Sequence, residues 1–381
     1  MSRDIYSEKH HVFRNRFREY VEREVAPYLD AWEAEGIAPR SAWKQMGEQG
    51  FLCPWLEEEY GGIKAGFEYS VIINEELVRI GAMGFMVGLH ADVVVPYIHA
   101  FGTEQQRRKW LPGAASGDTL MAVAMTEPNT GSDLQGISTR AVKDGDHWVI
   151  NGQKTFISLG ISSDLVIVAC RTDPEARSAH QGISLIVVKE GTPGFEKSRK
   201  LEKMGLSISD TAELFFTDCR VPAGNLLGEE NKGFQHLMQK LQQERLMCAI
   251  WAQVAIETIL EMTVRHGKKH FDFGKPIGSR QRNTFKLAEI ATEAELGRSF
   301  INDLIEEHIQ GKDIVKKVSM AKWWTADTAI RVVDDCIQFH GANGAMGNHP
   351  MSRWSRDIRA TSIYGGTDEI MKLIIGNMMG F

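Results

Sequence analysis

The sequence predicts an α+β chain of several domains: helices first, a small antiparallel β domain next, a helical bundle last. Three observations carry that prediction. Up to about Ser116 the apolar residues recur at helical spacing between Gly and Pro breaks. Between Thr119 and Val221 short β-like runs follow one another with turn signals and no helical stretch, which argues against a βαβ array. Beyond Gly233 long helices with short links return, the pattern of an antiparallel bundle. With 381 residues the chain is too long for one simple core, and the expected domains are 1–117, 118–226 and 227–381.

Composition narrows the function classes. Hydrophobic residues make up 43% and charged residues 25%, the proportions of a soluble globular protein. A formal net charge of −6 without a basic block argues against a nucleic-acid surface. Cys53, Cys170, Cys219, Cys248 and Cys336 are odd in number, widely spaced and form no CxxC pair. Neither a disulfide framework nor a metal site is expected from them. The twelve histidines show no HExxH or similar ligand spacing. No apolar run approaches the roughly 20 residues of a membrane span, and MSRDIYSEKHH lacks a signal-peptide core. A reducing, cytoplasmic compartment is expected, or a matrix-like one if a transit peptide has been removed.

In chain order, Val12 to Val25 is amphipathic and Pro27 ends or kinks it. Ser41 to Gly50 makes a short helix, and EEYGG (Glu58 to Gly62) a turn. Phe67 to Ile80 and Gly88 to Phe101 read as buried helices, and Thr103 to Leu111 as a polar one. The β-like runs are LMAVAM, HWVING, KTFISL, DLVIVAC, GISLIVV and AELFFT, separated by turns such as Asp144-Gly145, Asn151-Gly152 and Thr192-Pro193-Gly194. The last helices are expected at 234–266, about 281–310, about 313–340 and about 367–378.

Glu244 stands out in the first of these. The apolar stripe of 234–266 reads Leu237, Leu241, Cys248, Trp251, Ala255, Ile259 and Met262, in steps of three, four or seven. Glu244 fills the gap between Leu241 and Cys248 and points where they point. Such a carboxylate either pairs with a basic side chain in a helix interface or is a base whose pKa an apolar pocket raises. Three further stretches carry possible chemistry. MTEPNTGSD (Met125 to Asp133) closes a β run with hydroxyls and a flexible Gly131, suited to the polar edge of a flavin or a phosphate, or to an ordinary turn. HGANGAMG (His340 to Gly347) follows a helix and so fails the Rossmann requirement of strand, glycine loop, helix. IYGGTDEIM (Ile363 to Met371) starts a helix with Thr367 as N-cap; its free N–H groups either hold an anion or are simply capped.

Taken together, AMTEPNTGSD, GQKTFIS, FDFGKPI followed by Gln281, QFHGANG and IYGGTDEI resemble the acyl-CoA dehydrogenase family over nearly the whole chain. The resemblance implies a helical domain, a middle antiparallel β-barrel and a C-terminal four-helix bundle. It also implies one FAD per subunit, a homotetramer, and electron-transferring flavoprotein as electron acceptor. The implied reaction is α,β-dehydrogenation of an acyl-CoA to the trans-2-enoyl-CoA. On that resemblance Val123, Met125, Thr126, Gly131 and Ser132 line the flavin, beside Phe156 and Ser158. Phe273 and Gln281 reach FAD from a neighbouring subunit. Gln338, Gly341 and Ala342 meet the pyrophosphate, while Gly366, Thr367 and Glu369 hold the AMP half. Ser132, Gln242, Arg245 and Tyr364 face the substrate. His270 stands where many members carry a pyrophosphate-binding arginine.

The family commonly places its base in a Tyr-Glu-Gly-Thr run, and here that position is Gly365. Its long-chain and isovaleryl types place the Glu directly before an Arg on the first long helix of the bundle, as Glu244-Arg245 do here. Glu244 is then the base, the Gly365 N–H bonds the thioester carbonyl, and the β-hydride passes to flavin N5. With Gly365 and Gly366 offering no side chain, the pocket is expected to be wider there. The same site would also serve an acyl-CoA oxidase or an enoyl-CoA reductase. A non-catalytic flavoprotein partner is a third reading, which the intact Glu244-Arg245 pair disfavours.

Overall fold

The computed structural model describes residues 5–178 and 180–381. Its first third is helical: α1 (Glu8–Glu24), α2 (Leu29–Glu35), α3 (Arg40–Glu48), α4 (Phe67–Arg79), α5 (Val95–Phe101) and α6 (Glu104–Ser116). Two expectations are corrected here. The stretch from Gly88 is not one α-helix, because Leu89–Val94 forms a π-helical turn before α5. That wider turn buries both His90 and Asp92. α6 does not stop at Leu111 but continues over Pro112 to Ser116, where burial of Ala114 and Ala115 holds the last turn.

The middle part contains β1 (Met121–Ala124), β2 (Arg140–Asp144), β3 (His147–Ser158), β4 (Leu165–Arg171), β5 (Ile183–Lys189), β6 (Phe195–Lys197), β7 (Thr211–Pro222) and β8 (Leu226–Leu227). They form one sheet in the order β6-β7-β3-β2-β4-β5-β8, with β1 added on β4. The expected antiparallel barrel is corrected in two respects. The sheet is mixed, since β1 runs parallel to β4, and Arg140 of β2 pairs in parallel with Arg171. The forty residues between β1 and β4 give the chain room to return in the same direction. The strand path ends at β6 and β8 without closing. HWVING and KTFISL are also one strand rather than two. β3 pairs along the whole of β7, with register shifts that take up an extra β7 residue between Ile150 and Gly152 and an extra β3 residue between Lys154 and Ile157.

The last third holds α7 (Gly233–Lys269), a hairpin of β9 (Phe271–Asp272) and β10 (Lys275–Pro276), α8 (Gln281–Ile309), α9 (Val315–Gly344), α10 (Pro350–Ile358) and α11 (Asp368–Asn377). α7 passes Gly267, where the sequence suggested a stop. A Cβ there would stand 3.3 Å from the Gly278 Cα, so the glycine permits close packing and does not end the helix. α10 was not foreseen; Pro350 opens it and the His349 ring caps it, accepting from the Met351 N–H. α9 kinks at Gly341, whose φ of 57° and ψ of −145° lie outside the helical region. By length and composition alone α7 could cross a membrane, but the sequence reading of no span stands. Most of that apolar stretch is buried in the fold, as in a core helix.

A relay of three polar contacts ties the first helices to each other and to α7. Trp251 Nε1 donates to Asn74 Oδ1 at 2.8 Å, and Asn74 Nδ2 donates to Asp92 Oδ2 at 2.9 Å. Gln243 Nε2 donates to the Asp92 carbonyl at 2.6 Å. They pin the π-helical turn against the part of α7 that carries Glu244.

Candidate active site

Glu244 sits two turns into the buried part of α7, with Leu241 and Cys248 before and after it on one face. Its side chain keeps some solvent access, but Oε2 is shut off and has no hydrogen-bond partner among the described residues. Burial pushes the carboxyl up to about 7, and the neighbouring Arg245 charge only partly opposes that. The alternative of a structural ion pair is not realised among the described residues. Arg245 is itself buried, with an unpartnered Nε, and burial lowers its pKa. A carboxylate and a guanidinium, adjacent in sequence and both under-satisfied, mark a place prepared for a ligand.

Opposite Glu244 lies the turn before α11. Gly365 and Gly366 both have left-handed backbone, with φ of 65° and 93°. A Cβ on Gly365 would stand 3.8 Å from Glu244 Oε1 and 2.9 Å from Cys248 Sγ. The space left by the missing side chain is therefore filled by Cys248, and the expected widening of the pocket is corrected. One on Gly366 would stand 3.8 Å from an Arg245 terminal nitrogen. Tyr364 packs edge-on against Trp251, ring centroids 6.3 Å apart, and its buried hydroxyl has no partner among the described residues. The fully buried Tyr97 hydroxyl of α5 is likewise unpartnered and feels the Glu244 charge. Glu244, Arg245, Tyr364, Gly365 and Gly366 thus lie together, although the resemblance assigned Gly366 to the AMP half of FAD.

Gln242 is not among them. Its amide donates to the Lys312 carbonyl at 3.2 Å and accepts from the Ile314 N–H at 2.9 Å. Two residues back from Glu244 is about 200° around the helix, so Gln242 faces the α8–α9 link and fastens it. Among the described residues these bonds give it a structural role.

A second group gathers at the sheet. Val123 lies in β1, and Met125 and Thr126 directly follow it. The Thr126 carbonyl accepts from the Thr155 N–H at 2.9 Å, which joins this loop to the bulge of β3. Phe156 sits on that bulge with a φ of 56° and is 69% exposed, an aromatic ring held out in a costly backbone conformation. Ser158 follows two residues on, paired with Thr211, while Gly131 and Ser132 form an exposed tip. The sequence reading missed what holds this loop. Lys154, fully buried, donates to the Met125 carbonyl and to Glu127 Oε1, both at 2.9 Å. Burial alone would raise the Glu127 pKa. The Lys154 ammonium and donors from Ser138 and Thr139 outweigh it and hold that carboxylate at about 2.

A third group lies at the far end of the bundle. His270 stacks on His266 at 3.7 Å, His266 meets His340 at 4.2 Å, and His340 meets His349 at 5.1 Å. Gln338, Gly341 and Ala342 are exposed beside this row, at the kink of α9. Burial and the neighbouring imidazoles press His340 down to about 4. Phe273 is 91% exposed on the β9–β10 hairpin, with the Arg280 guanidinium 5.4 Å over its ring, and Gln281 begins α8 in the open. Apart from this row, next to the Gly365–Gly366 turn, Thr367 caps α11, its hydroxyl accepting from the Ile370 N–H at 3.3 Å, with Glu369 exposed in the first turn. No hydrogen bond or ring contact among the described residues joins this group to the sheet group.

Models of the acyl-CoA dehydrogenase N-terminal, middle and C-terminal domains match residues 7–118, 122–219 and 231–380. The chain is 43% identical to the long-chain specific acyl-CoA dehydrogenase of Sus scrofa mitochondria, over 98% of this chain and 87% of that one. The chain belongs to the acyl-CoA dehydrogenase family. Among solved structures it is similar to an acyl-CoA dehydrogenase from Geobacillus kaustophilus, 53% identical, TM-score 0.98, with all of both chains covered. It is also similar to a chain from the structure of the electron transferring flavoprotein of Acidaminococcus fermentans. That chain is 32% identical, with a TM-score of 0.94 and coverage of 99% and 100%.

Members of this family are FAD-dependent flavoproteins that dehydrogenate acyl-CoA, and this chain is such an oxidoreductase. The residues present fit that cofactor. An exposed aromatic on a strained bulge offers a flat face, and a Cβ-free kink at Gly341, with nothing within 4 Å, leaves room for a close polar ligand. The orphaned Arg245 and Glu244 atoms need a partner that the described residues do not supply.

Proposed function

We propose that Glu244 is the base of an α,β-dehydrogenation in which an acyl-CoA lies between α7 and the Gly365–Gly366 turn. The observation that carries it is the Glu244 carboxylate, with an unpartnered buried oxygen and a pKa near 7, 3.8 Å from the Gly365 Cβ position. A carboxylate so poised is half ionised at neutral pH and strong enough to take an α-proton from a thioester whose carbonyl is polarised. The Gly365 N–H is the donor assigned to that carbonyl, and Arg245 and Tyr364 hold the thioester arm with Ser132. FAD, when bound, supplies the acceptor for the hydride from the β-carbon. Apolar neighbours on the Glu244 face of α7, Leu241, Met247 and Cys248, keep water from the base.

The cofactor lies, on this reading, across Val123, Met125, Thr126, Gly131, Ser132, Phe156 and Ser158. Its pyrophosphate meets Gln338, Gly341, Ala342 and His270, and its AMP half meets Gly366, Thr367 and Glu369. The exposure of Phe273 and Gln281 supports their reaching FAD in a neighbouring copy, hence a homotetramer with a completed four-helix bundle in each subunit. We assign domain limits near 117 and 226, a reducing cytoplasmic or matrix-like setting, and electron-transferring flavoprotein as acceptor. The five free, buried cysteines agree with that setting.

The test is anaerobic titration of the FAD-loaded protein with straight, branched and cyclic acyl-CoA thioesters. Loss of oxidised-flavin absorbance with formation of the 2-enoyl-CoA is expected for at least one class. Reoxidation by electron-transferring flavoprotein, and not by oxygen, separates dehydrogenase from oxidase. A flavin that no acyl-CoA bleaches returns the chain to the non-catalytic reading.

His270→Arg tests the pyrophosphate assignment. A guanidinium there carries a permanent charge and two parallel donors, so FAD retention is expected to rise several-fold, with a steeper salt dependence. Flavin release measured by ultrafiltration at two ionic strengths checks it, and equal release from both proteins removes His270 from the cofactor site.

A further inference from the structure

We propose that Lys322 is a positioning residue that fixes the Gly365–Gly366 turn, and through it the carbonyl of the bound thioester. The inference rests on the reading of Gly365 as the thioester donor. Lys322 lies on α9, far in sequence from Glu244, and the reaction assigns it nothing. It is 1% exposed, and burying a lysine so completely demands strong partners. It has two. Nζ donates to the Gly366 carbonyl at 2.6 Å and to Asp368 Oδ1 at 3.2 Å.

The grip matters because of what it holds. Two consecutive glycines in left-handed conformation have no side chains to lock them, and such a turn is otherwise the loosest kind of backbone. On one side Tyr364 is anchored by its ring against Trp251. On the other the Gly366 carbonyl is anchored by Lys322, and the next residue, Thr367, caps α11. Between the two anchors the Gly365 N–H direction is set. The Lys322 charge is also felt by Cys248, the residue that packs over Gly365. A donor to a developing enolate acts only if its direction is fixed before reaction, and small misplacements cost rate more than binding.

The experiment compares the FAD-loaded wild type, Lys322→Met/Asp368→Asn and Asp368→Asn. The double variant removes both charges together and so leaves no buried carboxylate unpaired. It is expected to lower kcat per bound flavin by about 10–100-fold while changing KM by less than about threefold. A 3-thiaacyl-CoA gives a readout apart from turnover. It can lose its α-proton but has no β-hydride to give, and its enolate forms a long-wavelength absorption with oxidised flavin. The apparent pKa of that enolisation is expected to rise by about one unit or more in the double variant. Asp368→Asn alone keeps the ammonium on the Gly366 carbonyl and is expected to stay within about threefold of wild-type kcat.

A double variant with wild-type kcat and enolisation overturns the proposal. So does an Asp368→Asn protein as impaired as the double variant, since the ion pair and not the carbonyl grip would then carry the effect. Where some protein loses flavin, rates per bound flavin keep the comparison valid. A wild type that does not enolise the 3-thia analogue at all removes the underlying reading of the site instead.

Discussion

Glu244→Gln lowers turnover by about three orders of magnitude or more while FAD stays bound, because the group that removes the α-proton is gone. The amide matches the carboxylate in shape, so the packing on α7 is undisturbed. A variant that keeps a tenth of the wild-type rate would remove Glu244 from the role of base. In the wild type the base must be ionised, so kcat/KM rises with pH and levels off above about 7. The same carboxyl makes a stability prediction of definite sign. Its folded pKa lies above its unfolded value of about 4.3, so between the two the folded state binds more protons. Stability therefore falls as pH rises from about 4.3 to 7 and is flat above. Glu244→Gln removes that fall, making the variant more stable at pH 8 by up to about 4 kcal/mol, less whatever the residual solvent access relieves. Denaturant melts of both proteins at pH 5 and pH 8 measure it, and an equal loss in both proteins would contradict the burial argument.

That Glu244 could be read at all from the sequence has a simple cause. Helical side chains three and four apart share a face, so one carboxylate in a stripe running from Leu237 to Met262 is visible without coordinates. The same locality served the Thr367 cap and the long helices, whose apolar periodicity is written in neighbouring residues. It failed where the deciding partner was distant in sequence. Asn151-Gly152 looked like a hairpin turn because nothing nearby says that β7 pairs on both sides of it. Gln242 was placed at the substrate on the resemblance alone, and nothing near it in the sequence tells of its bonds to the link at Lys312 and Ile314.

The buried lysines were overlooked for a related reason. Lys154 and Lys322 stand among apolar residues whose spacing alone would have placed them inside, and a lysine on a buried face is a question about its partner. Glu127 lies 27 residues before Lys154, and the Gly366 carbonyl 44 residues after Lys322. Only folding brings them together. The resemblance to a family supplied the expectation of a flavin and an acyl-CoA; burial and orphaned polar atoms supply the physical reason for Glu244 and Arg245.

Gly365→Ala lowers kcat/KM by about 100-fold or more, to the same extent for straight, branched and cyclic acyl-CoA. Two effects act together. A left-handed backbone costs a non-glycine residue about 1–2 kcal/mol, and the new methyl meets Cys248 Sγ at 2.9 Å, closer than real contacts allow. Relief of that clash requires the turn to move, which carries the Gly365 N–H away from the thioester and crowds the Glu244 carboxylate 3.8 Å away. The two effects can be told apart. Cys248→Ala removes the sulfur but keeps the Cys248 Cβ, which lies at an ordinary 3.9 Å from the Gly365 Cβ position. It leaves the strained backbone as it is. Cys248→Ala alone is expected to cost about 1–2 kcal/mol of stability for the lost buried atom. Gly365→Ala/Cys248→Ala is expected to recover about tenfold over Gly365→Ala alone, a coupling of about 1.4 kcal/mol. If the two changes simply add, the sulfur is not what excludes a side chain at 365, and backbone strain alone keeps the glycine there. If instead Gly365→Ala spares straight chains and penalises branched ones, the pocket does extend over the glycine and Cys248 does not fill it.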